Sequence, residues 1–314
     1  MHFDNVIGQN KIKKALNFYL RAYDRTGKSP FLLFAGPSGL GKTEFSKAYA
    51  KGLKSLSGTA KTFYEINSST IKNVNSFLTT VHARCISNKD SIILFDEAHA
   101  LKKEIMDLFL SIFNSSAKDH YDLIHDGELF RFNFRRNVFI FATTETDKLF
   151  PPFKNRLKML NFVPYTPTEL SDIIKIREED IQYEDLALKT LASVVRGNAR
   201  DAAKLVEDVT AYCEAKSDVN FTMEDVYEFF DIFDIQPFGL TQSEIQILQK
   251  LDQGPASLSV LAAATGNSST SIRRDHEHFL LKKGFMMIDG KRHLTPKGQK
   301  ALDFIKRGVY LDEE

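Results

Sequence analysis

The sequence predicts an α/β fold in which a parallel sheet covered by helices is followed by a helical lid domain and a winged helix. Three observations support this prediction. Strands alternate with helices over the first half of the chain, which is typical of a parallel sheet. A complete phosphate-loop motif lies between the first strand and its helix. From about residue 238 onward, three helices precede a hairpin, which is the order of a winged helix.

The first domain is predicted from apolar spacing. Ile12, Leu16 and Leu20 fall on one face of a helix, whereas Phe31–Ala35 is a short apolar run typical of a buried strand. Asp126 and Gly127 form a hairpin turn signal. The predicted elements are, in order, a helix over 10–23, a strand over 31–35, a helix from Lys42 to about Leu56, a strand over 63–66, a helix over 71–86, a strand over 91–95, a helix over 101–114, a hairpin over 118–136 and a strand over 137–142.

Two proline-containing breaks divide the rest of the chain. Pro164–Pro167 is predicted to be a linker, and Thr168–Phe233 to be entirely helical. A second break follows at Pro237–Gly239, and Asp289-Gly290 marks a later hairpin. We therefore predict a nucleotide-binding domain over 1–163, a helical lid domain over 164–237 and a winged helix over 238–314.

Composition excludes several classes of protein. The chain has 314 residues, 43% of them apolar, which is enough for more than one core. Its net charge is +1, so any nucleic-acid site must be a local patch. Cys85 and Cys213 have neither zinc-ligand nor redox spacing. No signal peptide or long apolar run is recognisable, so we expect a cytoplasmic protein without a membrane partner.

The strongest motif is Gly36-Pro37-Ser38-Gly39-Leu40-Gly41-Lys42-Thr43, a full phosphate loop between a strand and a helix. Its backbone N–H groups can face the β-phosphate of ATP, helped by the N-terminus of the helix. Lys42 then places its charge between the β- and γ-phosphates, and the Thr43 hydroxyl ligates Mg²⁺. The predicted nucleotide contacts in this segment are Gly36, Pro37, Ser38, Gly39, Leu40, Gly41, Lys42, Thr43 and Glu44.

A second acidic motif completes the expected ATP site. Four apolar residues, 92–95, form a central strand that delivers Asp96 and Glu97 to the sheet edge beside the loop. Asp96 is predicted to hold Mg²⁺, and Glu97 to orient and polarise the attacking water. His99 either senses the nucleotide or only packs, and the sequence leaves both interpretations open.

With these motifs in place, the chain resembles the AAA+ ATPases and, within them, the RuvB family, which drives Holliday-junction branch migration. The opening segment containing Val6 and Ile7 is similar to the family's Ile-Gly-Gln segment, which implies contact with adenine. Ala142-Thr143-Thr144 matches the end of the family's sensor-1 strand. The resemblance implies that Thr144, with Thr143 as the alternative, helps to position the water.

The resemblance also assigns roles to three residues outside these motifs. Arg156, in a segment similar to Pro-Leu-Arg-x-Arg-Phe, becomes an arginine finger that reaches the ATP of a neighbouring subunit. Tyr165 is implied to pack on the nucleotide. Arg200 matches the sensor-2 arginine, which would touch the γ-phosphate from its own subunit. For either arginine alone, ordinary surface exposure is the alternative interpretation.

The C-terminal segment is similar to the family's winged helix and is locally basic. Residues 273–307 contain ten Lys and Arg against four Asp and Glu, an excess of six. This excess indicates phosphate contacts with double-stranded or junction DNA. The predicted DNA-binding residues are Arg273 and Arg274 on a helix and Lys291 and Arg292 on the wing, with either wing residue as the match to the family's DNA-contacting arginine. A winged helix that binds protein is the alternative.

Together these features predict an ATP-driven DNA translocase that acts as a homo-oligomer, and the resemblance implies a hexameric ring. The alternative is an AAA+ loader or initiator that positions another protein on DNA. In the family, a hairpin corresponding to 118–136 binds the junction-recognition protein RuvA. This hairpin is much altered here, as expected of a viral or mobile-element relative with another partner.

Overall fold

The computed structural model describes residues 3–55, 58–114 and 118–308. It forms two compact units. The first contains the chain up to Tyr165 together with Asn198–Arg200, and the second contains Thr166–Gly197 and the chain from Asp201 onward. The first predicted domain boundary, after residue 163, falls two residues before this division. The predicted boundary after residue 237 lies inside the second unit.

The first unit is built around a five-stranded sheet. Its strands, in chain order and with the hairpin included, are β1 (Leu32–Ala35), β2 (Thr62–Asn67), β3 (Ser91–Asp96), β4 (His120–His125), β5 (Glu128–Asn133), β6 (Asn137–Thr143) and β7 (Lys158–Asn161). The sheet order is β2-β3-β6-β1-β7, and every neighbouring pair is parallel. The predicted parallel sheet is therefore confirmed.

The central strands owe their position to uninterrupted apolar sequence. Every residue of β1 and β6 is buried, as are the first five residues of β3. Strands of this kind need cover on both faces, which the helices provide. Phe95 and Phe141 from neighbouring strands stack with ring centroids 5.1 Å apart, and Phe109 meets both rings edge-on at 5.2 Å. This aromatic core fixes the strand ends that carry the site.

The helices of the first unit depart from the prediction mainly at their ends. They are α1 (Asn10–Thr26), α2 (Lys42–Lys51), α3 (Val74–Ser76, continuing as a π-helix over Phe77–Ile86), α4 (Lys103–Asn114) and α5 (Pro151–Arg156). Helix α2 stops before Gly52, and the predicted last residue, Leu56, lies outside the described residues. Strand β7 was not predicted, because its sequence at the sheet edge has no apolar run.

The second unit combines a helical segment with a winged helix. Its elements are α6 (Pro167–Arg177), β8 (Gln182–Tyr183), α7 (Asp185–Val194), α8 (Ala199–Lys216, whose first two residues belong to the first unit), β9 (Asn220–Phe221), α9 (Met223–Ile232), α10 (Gln242–Asp252), α11 (Leu258–Thr265), α12 (Ser269–Ser271, then Ile272–Glu277 and His278–Lys283), β10 (Met286–Asp289), β11 (Lys291–Leu294) and α13 (Pro296–Arg307).

Three helices followed by the β10–β11 hairpin confirm the predicted winged helix. The prediction that 168–233 is entirely helical was wrong, since β8 and β9 pair in parallel. Helix α13 was also not predicted. Within the described residues, none of the helices is long and apolar enough to cross a membrane.

A buried ion pair ties the helical segment to the winged helix inside the second unit. The Arg196 guanidinium donates two hydrogen bonds to the Glu244 carboxylate, at 3.0 and 2.5 Å, and two more to the Gly239 carbonyl. It also lies over the Phe279 ring, 4.0 Å from the centroid. Glu244 is fully buried and caps α10 by accepting the Thr241 N–H at 2.8 Å. One side chain therefore connects three elements.

Candidate functional site

The phosphate loop joins the end of β1 to the start of α2. Gly39 and Gly41 adopt φ angles of 75° and 85°, in the left-handed region that favours glycine. A Cβ atom on Gly41 would lie 2.8 Å from the Tyr165 hydroxyl, so a side chain there would displace the tyrosine. Within the described part of the chain, the backbone N–H groups of residues 38–41 donate no hydrogen bonds to protein. They are free to bind an anion.

Lys42 begins α2 and is almost completely buried. Its Nζ donates to the carbonyl oxygens of Gly36 at 2.7 Å and Pro37 at 2.8 Å, so the ammonium lies within the curve of the loop. Burial lowers the pKa of Lys42, and the charge of Arg200 adds to this effect, whereas Asp96 and Glu97 oppose it. The structure therefore brings the predicted lysine close to both predicted carboxylates.

Asp96 and Glu97 follow β3 at the carboxyl edge of the sheet. The Asp96 carboxylate accepts the Glu97 N–H at 3.0 Å. Glu97 has φ 50° and ψ 49°, a left-handed conformation that is uncommon for residues other than glycine. Such strained residues concentrate at functional sites, where they aim a side chain. Thr43 and Glu44 belong to the first turn of α2, and Glu44 is exposed and pairs with Lys47 at 3.2 Å.

The end of β6 supplies the two candidate sensor threonines. The Thr144 hydroxyl donates to Glu97 Oε2 at 3.2 Å. Thr143 is fully buried, and its hydroxyl lies 3.0 Å from His99 Nδ1 and accepts the Glu145 N–H at 3.1 Å. Of the two threonines, Thr144 is the one in contact with Glu97.

Arg200 contacts the phosphate loop within the first unit. Its Nη1 donates to the Ser38 hydroxyl at 2.7 Å, and the neighbouring Ala199 N–H donates to the Gly39 carbonyl at 2.9 Å. A Cβ atom on Gly39 would overlap the Asn198 side-chain oxygen at 1.7 Å. This close approach explains why glycine is needed at position 39.

The opening segment is held by Gln9, which ends the Ile-Gly-Gln match. Gln9 donates to the Val163 carbonyl at 2.6 Å and accepts the Val163 N–H at 3.2 Å, which fixes the half-buried Val6 and Ile7 just before it. The Tyr165 hydroxyl donates to the Leu40 carbonyl at 3.0 Å. The resemblance covered the segment that contains Gln9, but it did not predict the contact of Gln9 with Val163 or its left-handed backbone.

Arg156 lies at the end of the sheet where the parallel strands begin, whereas the phosphate loop lies at the end where they stop. It precedes β7, whose first residue, Lys158, pairs with Leu32 at the start of β1, whereas the phosphate loop follows the end of β1. Four residues of strand separate these ends by about 13 Å, at about 3.3 Å per residue. Arg156 and Lys158 line a pocket of about 310 Å³ with Lys28. The structure therefore does not bring Arg156 to the loop of its own chain.

The candidate DNA-binding residues fall into two groups. Arg273 and Lys291 are exposed, and no salt bridge of either is found among the described residues. Arg274 is exposed but pairs with its neighbour Asp275 at 2.6 Å. Arg292 is 13% exposed at its side chain and donates to the buried Glu277 carboxylate at 2.6 Å. A phosphate contact by Arg292 would require it to leave that carboxylate.

Comparisons with known proteins agree with this geometry. Residues 32–165 match the AAA family of ATPases associated with various cellular activities, and residues 237–303 match the RuvB C-terminal winged helix domain. The RuvB subunit of the Holliday junction branch migration complex from Pseudothermotoga lettingae is 27% identical over 310 residues, covering 95% of this chain and 85% of that protein. The Thermotoga maritima subunit is 26% identical, covering 96% and 90%.

The fold is also similar to a solved structure along nearly the whole chain. The Thermotoga maritima RuvB Holliday junction branch migration motor superposes with a TM-score of 0.72 at 25% identity, covering 95% of each chain. The phosphate loop, the acidic strand end and the winged helix thus occur together in the order seen in these relatives. The chain is a RuvB-like AAA+ ATPase that carries a RuvB-type winged helix domain.

Proposed function

We propose that this ATPase is a DNA translocase of the RuvB type, which uses ATP hydrolysis to promote branch migration of Holliday junctions in recombination or repair. One observation carries the proposal. The ATPase domain and the RuvB-type winged helix belong to one chain that aligns with RuvB proteins over 95% or more of its length. Loaders and initiators share the ATPase core, but the RuvB-type winged helix favours the motor.

In the proposed ATP site, the free N–H groups of residues 38–41 and the Lys42 ammonium hold the phosphates. The adenine lies along Val6, Ile7 and Tyr165. A hydroxyl and a carboxylate, from Thr43 and Asp96, fit the oxygen ligands that Mg²⁺ prefers. When bound, the ion neutralises charge on the phosphates.

We assign the activation of the attacking water to Glu97, supported by Thr144. Glu97 accepts a proton from the water and orients it, and the Thr144 hydroxyl, 3.2 Å from Glu97 Oε2, holds the carboxylate in place. Arg200, which donates a hydrogen bond to Ser38 of the loop, reaches the γ-phosphate of the ATP bound to its own chain.

Assembly follows from the position of Arg156. Arg156 and the loop lie at opposite ends of the strands of one sheet. Arg156 therefore stabilises the transition state only in the site of a neighbouring chain. Hydrolysis therefore requires a homo-oligomer, for which we propose the hexameric ring.

DNA binding is assigned to the winged helix. The exposed Arg273 and Lys291 are placed to bind phosphates, with Arg274 available once it leaves Asp275. We assign binding of a partner protein to the β4–β5 hairpin. Ile124 and Leu129 lie opposite each other on its two strands and are 75% and 60% exposed. Adjacent large apolar side chains that face solvent in this way are typical of a protein-binding surface.

A branch-migration assay on a synthetic four-way junction tests the proposal. The protein with ATP and Mg²⁺ should convert the junction into two duplexes, and Glu97→Gln, which keeps the shape of the side chain, should bind ATP without converting it. DNA-stimulated hydrolysis with no junction conversion, alone or with a junction-binding partner, would instead identify a loader or initiator.

A further inference from the structure

His99 lies between the two strand ends that carry the site. Its Nδ1 is 3.2 Å from Glu97 Oε2 and 3.0 Å from the Thr143 hydroxyl, and its Nε2 is 3.2 Å from Glu145 Oε1. Three oxygen atoms from the ends of β3 and β6 therefore surround one imidazole. We call His99 and these three residues the histidine network.

The network is anchored on the side away from Glu97. Thr143 belongs to the fully buried strand β6, so its hydroxyl cannot move without the sheet. Glu145 is held by Lys148 at 2.5 Å and by its own backbone N–H, which donates to Thr143. Each ring nitrogen therefore lies within about 3.2 Å of an oxygen atom, and in a neutral ring only one of the two can donate.

The network acts on a carboxylate that needs such support. The backbone of Glu97 is in the left-handed region, and the side chain is 39% exposed. Packing alone therefore does not fix the direction of the carboxylate. The Thr144 hydroxyl donates a hydrogen bond to Oε2, and His99 Nδ1 lies 3.2 Å from the same oxygen. Holding one oxygen in this way leaves Oε1 to face the water.

We propose that His99 is a positioning residue for ATP hydrolysis, which orients the Glu97 carboxylate through Nδ1 and whose ring lies between Thr143 and Glu145. The inference rests on the proposed role of Glu97 as the base, but not on DNA translocation. It makes Glu145 and Lys148 an outer support of the ATPase site. Misplacing a reacting group by about 1 Å can cost about 10²-fold in rate.

A pair of substitutions separates the two ring nitrogens. In His99→Asn the amide N–H can occupy the place of Nδ1, whereas in His99→Gln it reaches toward the place of Nε2. A neutral imidazole has one N–H and donates from one nitrogen only, so the two variants imitate its two possible donors.

The test measures steady-state ATP hydrolysis without DNA, and binding of a fluorescent ATP analogue. His99→Ala should lower kcat about 10- to 100-fold and change KM and analogue affinity less than about twofold. His99→Asn should recover more of the lost kcat than His99→Gln. His278→Ala, a change at an exposed histidine of α12, is the matched control and should leave kcat unchanged.

Combination with Glu97→Gln separates this inference from the role of Glu97 itself. Glu97→Gln should lose at least about 10²-fold in kcat, and adding His99→Ala should then change it by less than about twofold, because both changes remove the same function. If Glu97→Gln keeps full turnover, the proposed role of Glu97 fails.

Three results would overturn the inference while leaving the role of Glu97 intact. They are a normal kcat in His99→Ala, an equal loss of kcat and analogue affinity, and better recovery by His99→Gln than by His99→Asn. Thermal unfolding of each variant shows that a lowered kcat does not come from loss of the fold.

Discussion

Two pairs of arginines, one pair in each unit, have different partners. Arg156 and Arg200, in the first unit, contact no carboxylate among the described residues, and Arg200 bonds only a serine hydroxyl with its side chain. Arg196 and Arg292, in the second unit, each bond a carboxylate that is at most 6% exposed. The first pair is available to a phosphate, whereas the second pair is committed to the fold.

The comparison distinguishes arginines that bond a buried carboxylate from arginines that bond no carboxylate among the described residues. A buried carboxylate that loses its arginine keeps its desolvation cost without compensation, so such a pair is expensive to break. An exposed arginine without a partner contributes little to stability, and its charge can act on a ligand. Removing arginines of the two kinds should therefore affect different measurements.

The largest effect is expected at Arg156, which contacts no carboxylate among the residues that the structure describes. Arg156→Ala should keep ATP binding and lose at least about 10³-fold in hydrolysis, because the transition state in the neighbouring site loses its positive charge. Steady-state ATPase rates and binding of a fluorescent ATP analogue measure the two quantities.

Mixing tests whether Arg156 acts across chains. Lys42→Ala should be inactive alone, yet a mixture of Arg156→Ala and Lys42→Ala chains should regain activity, since an intact loop can then meet an intact arginine. No recovery in a mixture that assembles would place Arg156 outside the neighbouring site.

A smaller effect, on stability rather than hydrolysis, is expected at the paired Arg196. Arg196→Ala leaves Glu244 buried without its cation and should destabilise the second unit by about 3 kcal/mol. Chemical denaturation followed by circular dichroism measures the loss. Arg177→Ala, at an exposed arginine of α6, is the control and should change stability by less than about 0.5 kcal/mol. Equal stabilities of the two variants would contradict the assignment.

The smallest effects compare neighbours on the wing. Lys291→Ala should preserve stability and reduce the magnitude of the negative slope of log K against log salt by about 1, as expected for one lost phosphate contact. Arg292→Ala should instead lower the unfolding temperature, because Glu277 loses its partner. If Arg292→Ala reduced the magnitude of the salt slope at unchanged stability, Arg292 would be a DNA contact and not a structural residue.

The sequence predicted the parts of the fold that have strong local patterns. Strands β1, β3 and β6 were located because each contains an uninterrupted apolar run, and the phosphate loop because its motif is complete. Strand β7 and the β8–β9 pair were missed. Their residues are mostly exposed or too few to show a period, so pairing with neighbours decides their structure.

The residues of the site were likewise predictable where they belong to local motifs, and not where they depend on contacts between strands. Lys42, Asp96 and Glu97 belong to motifs, whereas the contact of His99 with Glu145 depends on β3 lying beside β6, which no local pattern encodes. Charge counting selected Arg292 together with Lys291. It could not distinguish them, because the partner Glu277 lies on another element, 15 residues away.

The separation of the phosphate loop and Arg156 by one sheet has a genetic consequence. Under the proposed role of Arg156, a cell that contains both normal and Arg156→Ala chains holds altered chains that keep their own loop but disable the site of a normal neighbour. The allele should therefore be dominant over the wild type, and its severity should increase with its share of the total chains. Activity per chain should also fall on dilution, because in the proposed assembly each site needs two chains.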